Sequence, residues 1–173
     1  MRSLISETLN KKLDEILTMC FLGNRVADRA MSVINVKFVM PKTEKILHEA
    51  LAHLFPQLGD LVSTYQAQRN CLSGYGLTPA DLTDYTSPQE FFEKMVDYMT
   101  DLEALCYDTY VMALEEKDIT TLAFVEDFIE EITPVTEQCV LLADKGEAYN
   151  GDWQRFDHDI NCFVFLTGEV DED

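Results

Sequence analysis

The sequence predicts an all-α fold, a four-helix bundle with a long crossover between the second and third helices and a short C-terminal helix. Apolar residues recur at alternating spacings of four and three along four segments, which is the pattern of amphipathic helices that share one core. Only seven glycines and five prolines interrupt the 173 residues, which favours long elements. No segment shows the apolar–polar alternation that predicts a half-buried strand.

Composition and charge exclude several classes of function. Apolar residues make up 47% of the chain and charged residues 26%, as in globular domains. The 32 acidic and 13 basic residues give a net charge of −19. This charge argues against nucleic acid and against anionic membrane surfaces, because both are bound through Lys and Arg. No apolar run approaches the ~20 residues that span a bilayer.

The N-terminal segment and the cysteines predict a cytoplasmic protein. The first residues, MRSLISETLNKKLDEIL, contain no continuous apolar segment after Arg2, so no signal peptide is recognisable. The five cysteines are odd in number and form no C-x-x-C pair. They are expected to be reduced thiols, mostly buried as small apolar groups.

Acidic residues are concentrated in the second half of the chain. Residues 1–86 contain nine acidic and nine basic residues, whereas residues 87–149 contain 16 acidic and three basic residues. Residues 150–173 add seven acidic residues and one basic residue. The acidic surface is either a solubilising face or one that concentrates cations.

The first two predicted helices run from about Leu4 to Ile34 and from Pro41 to about Asn70. The first has a seam of Leu9, Leu13, Ile16, Cys20, Gly23, Ala27, Ala30 and Ile34. The second has a seam of Leu47, Leu51, Leu54, Leu58, Leu61 and Tyr65. Pro56 lies inside the second helix and is expected to bend it or to free a backbone carbonyl, because proline has no N–H to donate.

Residues 71–87 form a connection that is rich in turn formers and long enough to cross a bundle. Within it, Thr78-Pro79 predicts a short helix, since Thr is a good N-cap and Pro suits the first helical position. Ser87-Pro88 predicts the start of the third helix in the same way. The seam of this helix is Phe92, Met95, Met99, Leu102, Cys106, Thr109 and Ala113.

The fourth predicted helix follows a very tight link and begins after its N-cap, Asp118. Pro134 interrupts it, and Lys145-Gly146 resembles a stop. Its predicted seam is Leu122, Val125, Ile129, Ile132, Thr136, Cys139 and Ala143. A short fifth helix is predicted from Trp153 to Phe165.

The lengths of the connections predict the topology. The first–second and third–fourth links are short, so these helices form antiparallel hairpins, and the long connection joins the two hairpins. Two hairpins joined by one long crossover is the ferritin-like arrangement. Residues 1–149 are therefore predicted to form a ferritin-like four-helix bundle, and residues 150–173 an acidic C-terminal extension with a short helix.

Five short motifs are similar, in this order, to landmarks of the Dps group of the ferritin-like superfamily. They are Asn35-Val36-Lys37-Phe38, His48-Glu49-Ala50-Leu51, Leu58-Gly59-Asp60, Ala67-Gln68-Arg69 and Glu116-Lys117-Asp118-Ile119-Thr120. The long crossover fits the same group. The resemblance covers roughly residues 9–149.

The resemblance implies iron oxidation between two subunits, where Dps proteins use His, His, Asp and Glu side chains of the first two helices. His48 matches one of these histidines. The other positions fall near Ser32 or Val33, Ala52, Ser63 and Gln68. At most one strong ligand of the usual set is present.

A second type of ferritin site lies inside the bundle and uses Glu and Glu-x-x-His residues that project from the seams. None of the predicted seam positions carries Asp, Glu or His, and Glu-x-x-His does not occur in the chain. A di-iron centre inside the bundle therefore has little support, because two iron ions need several converging ligands.

Two stripes on the second helix supply candidate metal ligands. Glu44 and His48 are four residues apart, in a stripe with Phe55 and Val62 that could face a neighbouring subunit. They either bind one cation together or pair with each other. A second stripe, which either binds a cation or is a solvated face, consists of Glu49, His53 and Asp60.

These observations lead to three functional hypotheses. The first is a Dps-like, ferritin-like homo-oligomer that binds iron, oxidises Fe²⁺ near His48 if active, stores the product and does not bind DNA. The second is a non-enzymatic relative that has lost its iron ligands and serves as an assembly or partner-binding module. The third is a helical bundle unrelated to ferritins.

Overall fold

The computed structural model describes residues 2–167 and consists of six α-helices. They are α1 (Glu7–Phe38), α2 (Pro41–Leu47), α3 (Leu54–Gln68), α4 (Pro88–Glu116), α5 (Ile119–Tyr149) and α6 (Trp153–Asp159). A π-turn, His48–Ala52, joins α2 to α3, and a 3₁₀ turn, Ile160–Cys162, follows α6. Residues 2–167 contain no strand, so the all-α prediction is confirmed. The acidic end, residues 168–173, lies outside the described part.

The core of the bundle follows the predicted seams in α1 and α4. Every predicted seam residue of these two helices is buried. The first helix begins at Glu7, three residues later than predicted, and continues past Ile34 to Phe38. Its C-cap, Val39, has a left-handed backbone (φ 57°) that turns the chain into α2. The first hairpin therefore consists of α1 packed against α2 and α3.

The buried face of α5 differs from the predicted seam. The two share Val125, Ile132 and Cys139, but α5 is turned so that Phe128, Val135 and Leu142 face the core. The predicted Ile129, Thr136 and Ala143 are only partly buried. This rotation buries Phe128 in place of Ile129, Val135 in place of Thr136 and Leu142 in place of Ala143. In each pair the buried side chain removes more apolar surface from water.

The end of α5 also corrects the sequence prediction. Gly146 does not stop the helix but lies inside it and is buried. It faces Gln89 of α4, and a Cβ at this position would come within 2.0 Å of the Gln89 Oε1 atom. The glycine therefore serves the close packing of α4 and α5, and the helix ends at Asn150, whose φ is 49°.

Residues 72–85, which we call the strap, cross from one end of the bundle to the other along α1. Near one end of α1, Asn10 donates its side-chain N–H to the Leu72 carbonyl; near the other, Lys37 donates to the Tyr85 carbonyl. The predicted crossover is thereby confirmed. The predicted short helix at Thr78-Pro79 is wrong, because an extended chain is needed to cover this distance.

The C-terminal segment shares the core of the bundle. Phe156 of α6 is fully buried and packs against Phe92 of α4, with ring centroids 5.4 Å apart. The Asp157 carboxylate accepts a hydrogen bond of 2.7 Å from the Thr43 backbone N–H in the first turn of α2. The predicted helix from Trp153 to Phe165 is real but shorter. Helix α6 therefore fixes the start of α2.

None of the helices within residues 2–167 combines the length and the apolarity that crossing a membrane requires.

Candidate metal site

A π-turn places two histidines side by side on the outer face of the first hairpin. The His53 backbone N–H donates to the His48 carbonyl, which is five residues back, and the two imidazole rings lie edge to face with centroids 4.6 Å apart. In a continuous α-helix, residues five apart point about 140° away from each other. The widened turn is therefore what brings the two rings together.

Pro56 accounts for the π-turn. Its ring nitrogen carries no hydrogen and its ring crowds the carbonyl four residues back, which belongs to Ala52. The Asn24 side chain of α1 donates to this Ala52 carbonyl at 2.8 Å. The prediction that Pro56 frees a backbone carbonyl is confirmed.

His48 lies between two carboxylates. Its Nδ1 atom is 3.5 Å from Glu44 Oε1, and its Nε2 atom is 3.8 Å from Asp28 Oδ1 on α1. Asp28, Glu44, His48 and His53 line one open cleft of about 450 Å³. Each of these side chains is between a quarter and a half exposed, so ions in solution can reach them.

Glu49 orients the second histidine. Its Oε2 atom is 3.0 Å from His53 Nδ1, one helical turn away. A carboxylate on one imidazole nitrogen holds the ring and leaves the other nitrogen to a ligand. Glu49 thus supports His53 without lining the cleft itself.

The structure unites only some of the candidate residues. Glu44, His48 and His53 share the cleft, whereas Asp60 lies about 10 Å further along the helix axis from His53. The expectation that Phe55 and Val62 lie with His48 on an edge that could face a neighbouring subunit is wrong, because both are buried in the core. The predicted seam residues Leu47, Leu51, Leu54, Leu58 and Tyr65 are buried as well, so the second half of the hairpin buries a wider face than its predicted seam.

Three polar residues of α1, Asp28, Ser32 and Asn35, line the same cleft, and the sequence does not point to Asp28 as a ligand. The Dps resemblance puts the absent histidine near Ser32 or Val33 and identifies no ligand in the preceding helical turn. Asp28 lies four residues before Ser32, so the helical spacing could have identified it. The site is therefore built from both helices of the first hairpin.

The side chains of one chain do not enclose an ion. Within residues 2–167, no three His, Cys, Asp or Glu side chains are grouped closely enough to hold a metal. The distances around His48 are those of weak ion pairs, longer than metal–ligand bonds. The cleft that these side chains line is open to solvent.

The buried polar residues of the bundle provide no alternative centre. Among the described residues, the buried polar side chains are Thr43, Gln66, Thr109, Thr121, Gln138 and Asp157. The single carboxylate in this set, that of Asp157, accepts from the α2 backbone at the end of the bundle. The interior between α1, α3, α4 and α5 is otherwise apolar.

Comparison with known proteins supports the fold. The structure is similar to the Chlorobium tepidum ferritin, with a TM-score of 0.80 and 16% sequence identity, over 92% of this chain and 99% of that one. No family model matches the sequence, and no curated protein does. The chain therefore has the ferritin-like fold, with its two hairpins and end-to-end crossover.

Proposed function

We propose that this chain is a ferritin-like iron-binding protein, and that the cleft of Asp28, Glu44, His48 and His53 is its half-site for Fe²⁺. The observation that supports this most is the position of His48, with a carboxylate facing each ring nitrogen and a second imidazole against it. The chain has three histidines, and the third, His158, lies on α6 beside Asp159 and away from the other two.

The chemistry of the cleft suits ferrous iron. Imidazole nitrogens and carboxylate oxygens are both good ligands for Fe²⁺. Asp28, Glu44 and Glu49 bring three negative charges to two histidines, so the cleft attracts cations. Fe²⁺ is the substrate here, and its oxidation transfers an electron to dioxygen.

We further propose that a second subunit completes the site, as in the Dps resemblance. The four ligands line an open cleft of the first hairpin, and their distances around His48 are too long for one chain to hold an ion. A neighbouring copy would close the cleft and add the missing ligands. The protein is then a cytoplasmic homo-oligomer without nucleic-acid or membrane partners.

Iron binding and oxidation test this proposal. Anaerobic titration with Fe²⁺ should show binding by the wild type, and air should then oxidise the iron faster than in a protein-free blank. His48→Ala should weaken binding at least tenfold, because it removes the central ligand. His158→Ala is the matched control, since His158 is exposed and lies outside the cleft, beside Asp159.

A non-enzymatic scaffold is the second candidate, and the apolar interior of the bundle favours it. On this alternative the wild type neither binds Fe²⁺ nor exceeds the blank rate. Fe²⁺ binding without oxidation faster than the blank would support the metal site and reject a ferroxidase activity.

A further inference from the structure

We propose that the buried carboxamide of Gln138 is a binding site for an extended peptide backbone, which the chain's own residues 163–166 occupy, and that this segment keeps the start of α2 in position. We call residues 163–166 the latch. Its attachment concerns the fold alone. Only its consequence for metal binding rests on the proposed function, because Glu44 of the cleft lies in the first turn of α2.

The Gln138 side chain contacts the latch with both ends of its carboxamide. Its Nε2 atom donates to the Phe163 carbonyl at 3.0 Å, and its Oε1 atom accepts from the Phe165 N–H at 2.8 Å. In a parallel sheet, a residue likewise donates to one residue of the neighbouring strand and accepts from the residue two positions further along. The carboxamide thus takes the place of an adjacent strand, and it recognises backbone groups whatever the side chains are.

The burial of Gln138 makes these hydrogen bonds important for the fold. The side chain is fully buried and lies on the core face of α5, between Val135 and Leu142. An amide group that is taken out of water destabilises a protein unless it is hydrogen-bonded. The latch supplies these hydrogen bonds, so its position is coupled to the packing of α5.

The latch is attached at two points, the carboxamide of Gln138 and the ring of Phe163. This ring is buried and packs against Phe156 of α6, with centroids 5.0 Å apart. Phe165, in contrast, is 46% exposed, and residues 164–167 belong to no helix or strand. A segment with so few apolar contacts opens at a lower free energy than the core of a bundle. The latch can therefore detach while the long helices stay folded.

Helix α6 connects the latch to the corner where α1 turns into α2. The Gln154 side chain donates to the Phe38 carbonyl at 3.2 Å, and the Asp157 carboxylate accepts from the Thr43 N–H. Helix α6 has only seven residues, and a helix this short is not stable alone. Its position therefore depends on its anchors, which are the buried ring of Phe156 and the latch that follows it.

The start of α2 depends on this support from outside. Its N-cap, Met40, makes no side-chain capping hydrogen bond, so Asp157 supplies the acceptor that a capping side chain otherwise provides. Thr43, which donates to Asp157, is followed by Glu44, whose Oε1 atom is 3.5 Å from His48 Nδ1. Release of the latch should therefore loosen the turn that carries Glu44 and weaken the metal cleft.

Amide exchange of the metal-free full chain tests the latch. Gln138→Leu removes both hydrogen bonds but keeps a side chain of similar size that suits an apolar core. The Phe165 amide should exchange roughly tenfold faster in this variant, and so should the Thr43 amide, which reports how firmly α6 holds α2. Asn161→Ala is the matched control, because it removes an exposed carboxamide next to the latch, and it should exchange like the wild type.

A second pair of variants changes the latch and leaves its binding site intact. Phe165→Pro removes the N–H that Gln138 accepts, and proline suits an extended segment. Phe165→Ala removes the ring but keeps the N–H. The Thr43 amide should exchange faster in Phe165→Pro and at nearly the wild-type rate in Phe165→Ala. Circular dichroism checks that both variants remain helical.

Anaerobic titration with Fe²⁺ measures the consequence for the cleft. Gln138→Leu and Phe165→Pro should bind Fe²⁺ roughly fivefold more weakly than the wild type, and Phe165→Ala should bind like it. The proposal is overturned by a Phe165 amide that is unprotected in the wild type, by a Thr43 amide that keeps its exchange rate in both variants, or by an unchanged Fe²⁺ affinity. A wild type that binds no Fe²⁺ would reject the proposed function instead, and the Thr43 amide would still decide whether the latch holds α2.

Discussion

Individual side chains determine which chemistry is open to this ferritin-like fold. His48 is surrounded by Asp28, Glu44 and His53 at the protein surface, where ions have access. Inside the bundle, Cys20, Cys106 and Cys139 are buried among apolar neighbours. The reactive polar groups thus lie on the outside and the inert thiols in the core.

The buried thiols predict a loss of stability in alkali. Burial raises the pKa of Cys106 and of Cys139 from 9.0 to about 12. The folded chain therefore keeps these protons up to a higher pH than the unfolded chain does. The contribution of each thiol to the free energy of unfolding is complete below pH 9 and is lost as the pH rises toward 12. Between pH 9 and 10 the loss is roughly 1 kcal/mol per thiol.

Urea unfolding of Cys139→Ala at pH 8, 9 and 10 checks this prediction. The free energy of unfolding should fall less steeply with pH in this variant than in the wild type. Cys162→Ala, at an exposed thiol, should retain the wild-type dependence. Identical dependences for Cys139→Ala and the wild type would refute the argument.

At the scale of elements, the π-turn links the fold to the candidate site. It exists because Pro56 cannot donate to the Ala52 carbonyl, which Asn24 satisfies instead. The same turn brings His53 against His48. Helix irregularities of this kind often occur at functional sites.

Pro56→Ala should straighten the π-turn and weaken Fe²⁺ binding by about tenfold. The new N–H can donate to the Ala52 carbonyl, so an ordinary α-helical turn can form and move His53 away from His48. Pro134→Ala, the matched change inside α5, should leave binding unchanged. Anaerobic titration measures both variants, and unaltered affinity in Pro56→Ala would show that the turn does not form the site.

Asp157→Ala should lower the free energy of unfolding by about 1–3 kcal/mol, because it leaves the buried Thr43 N–H without its acceptor. Asp157→Asn keeps an acceptor oxygen and should cost less. Urea unfolding compares the two variants. Equal losses would mean that the hydrogen bond does not hold α6 on α2.

The sequence predicts most of the elements because helical periodicity is strong in every long helix. It places the buried faces of α1 and α4 and the crossover correctly. The sequence does not predict that Pro56 produces a π-turn, because a bent α-helix also accommodates a proline that has no N–H. Asp28 was missed because its distance from His48 depends on how two helices pack, which periodicity within one helix does not determine.

For the molecule as a whole, charge is divided unequally between the two hairpins. The near-neutral first half contains the cleft and the strap, and the acidic second half contains α4 and α5. The second subunit of the proposed metal site would therefore meet the least electrostatic repulsion on the first hairpin.

The net charge of −19 predicts that duplex DNA is not bound. Phosphates need basic groups to neutralise them, and the chain has 13 Lys and Arg against 32 Asp and Glu. A gel shift at low salt, where electrostatic binding is strongest, should show free DNA at micromolar protein. A retarded band would overturn this prediction.

The central claim is that Asp28, Glu44, His48 and His53 form the iron half-site of a ferritin-like protein. Anomalous diffraction at the iron edge, from crystals grown anaerobically with Fe²⁺, tests it most directly. We predict a peak within bonding distance of a His48 ring nitrogen and a carboxylate oxygen of Asp28 or Glu44. A map without a peak in this cleft, or with its strongest peak among the acidic residues of α4 and α5, would contradict the claim.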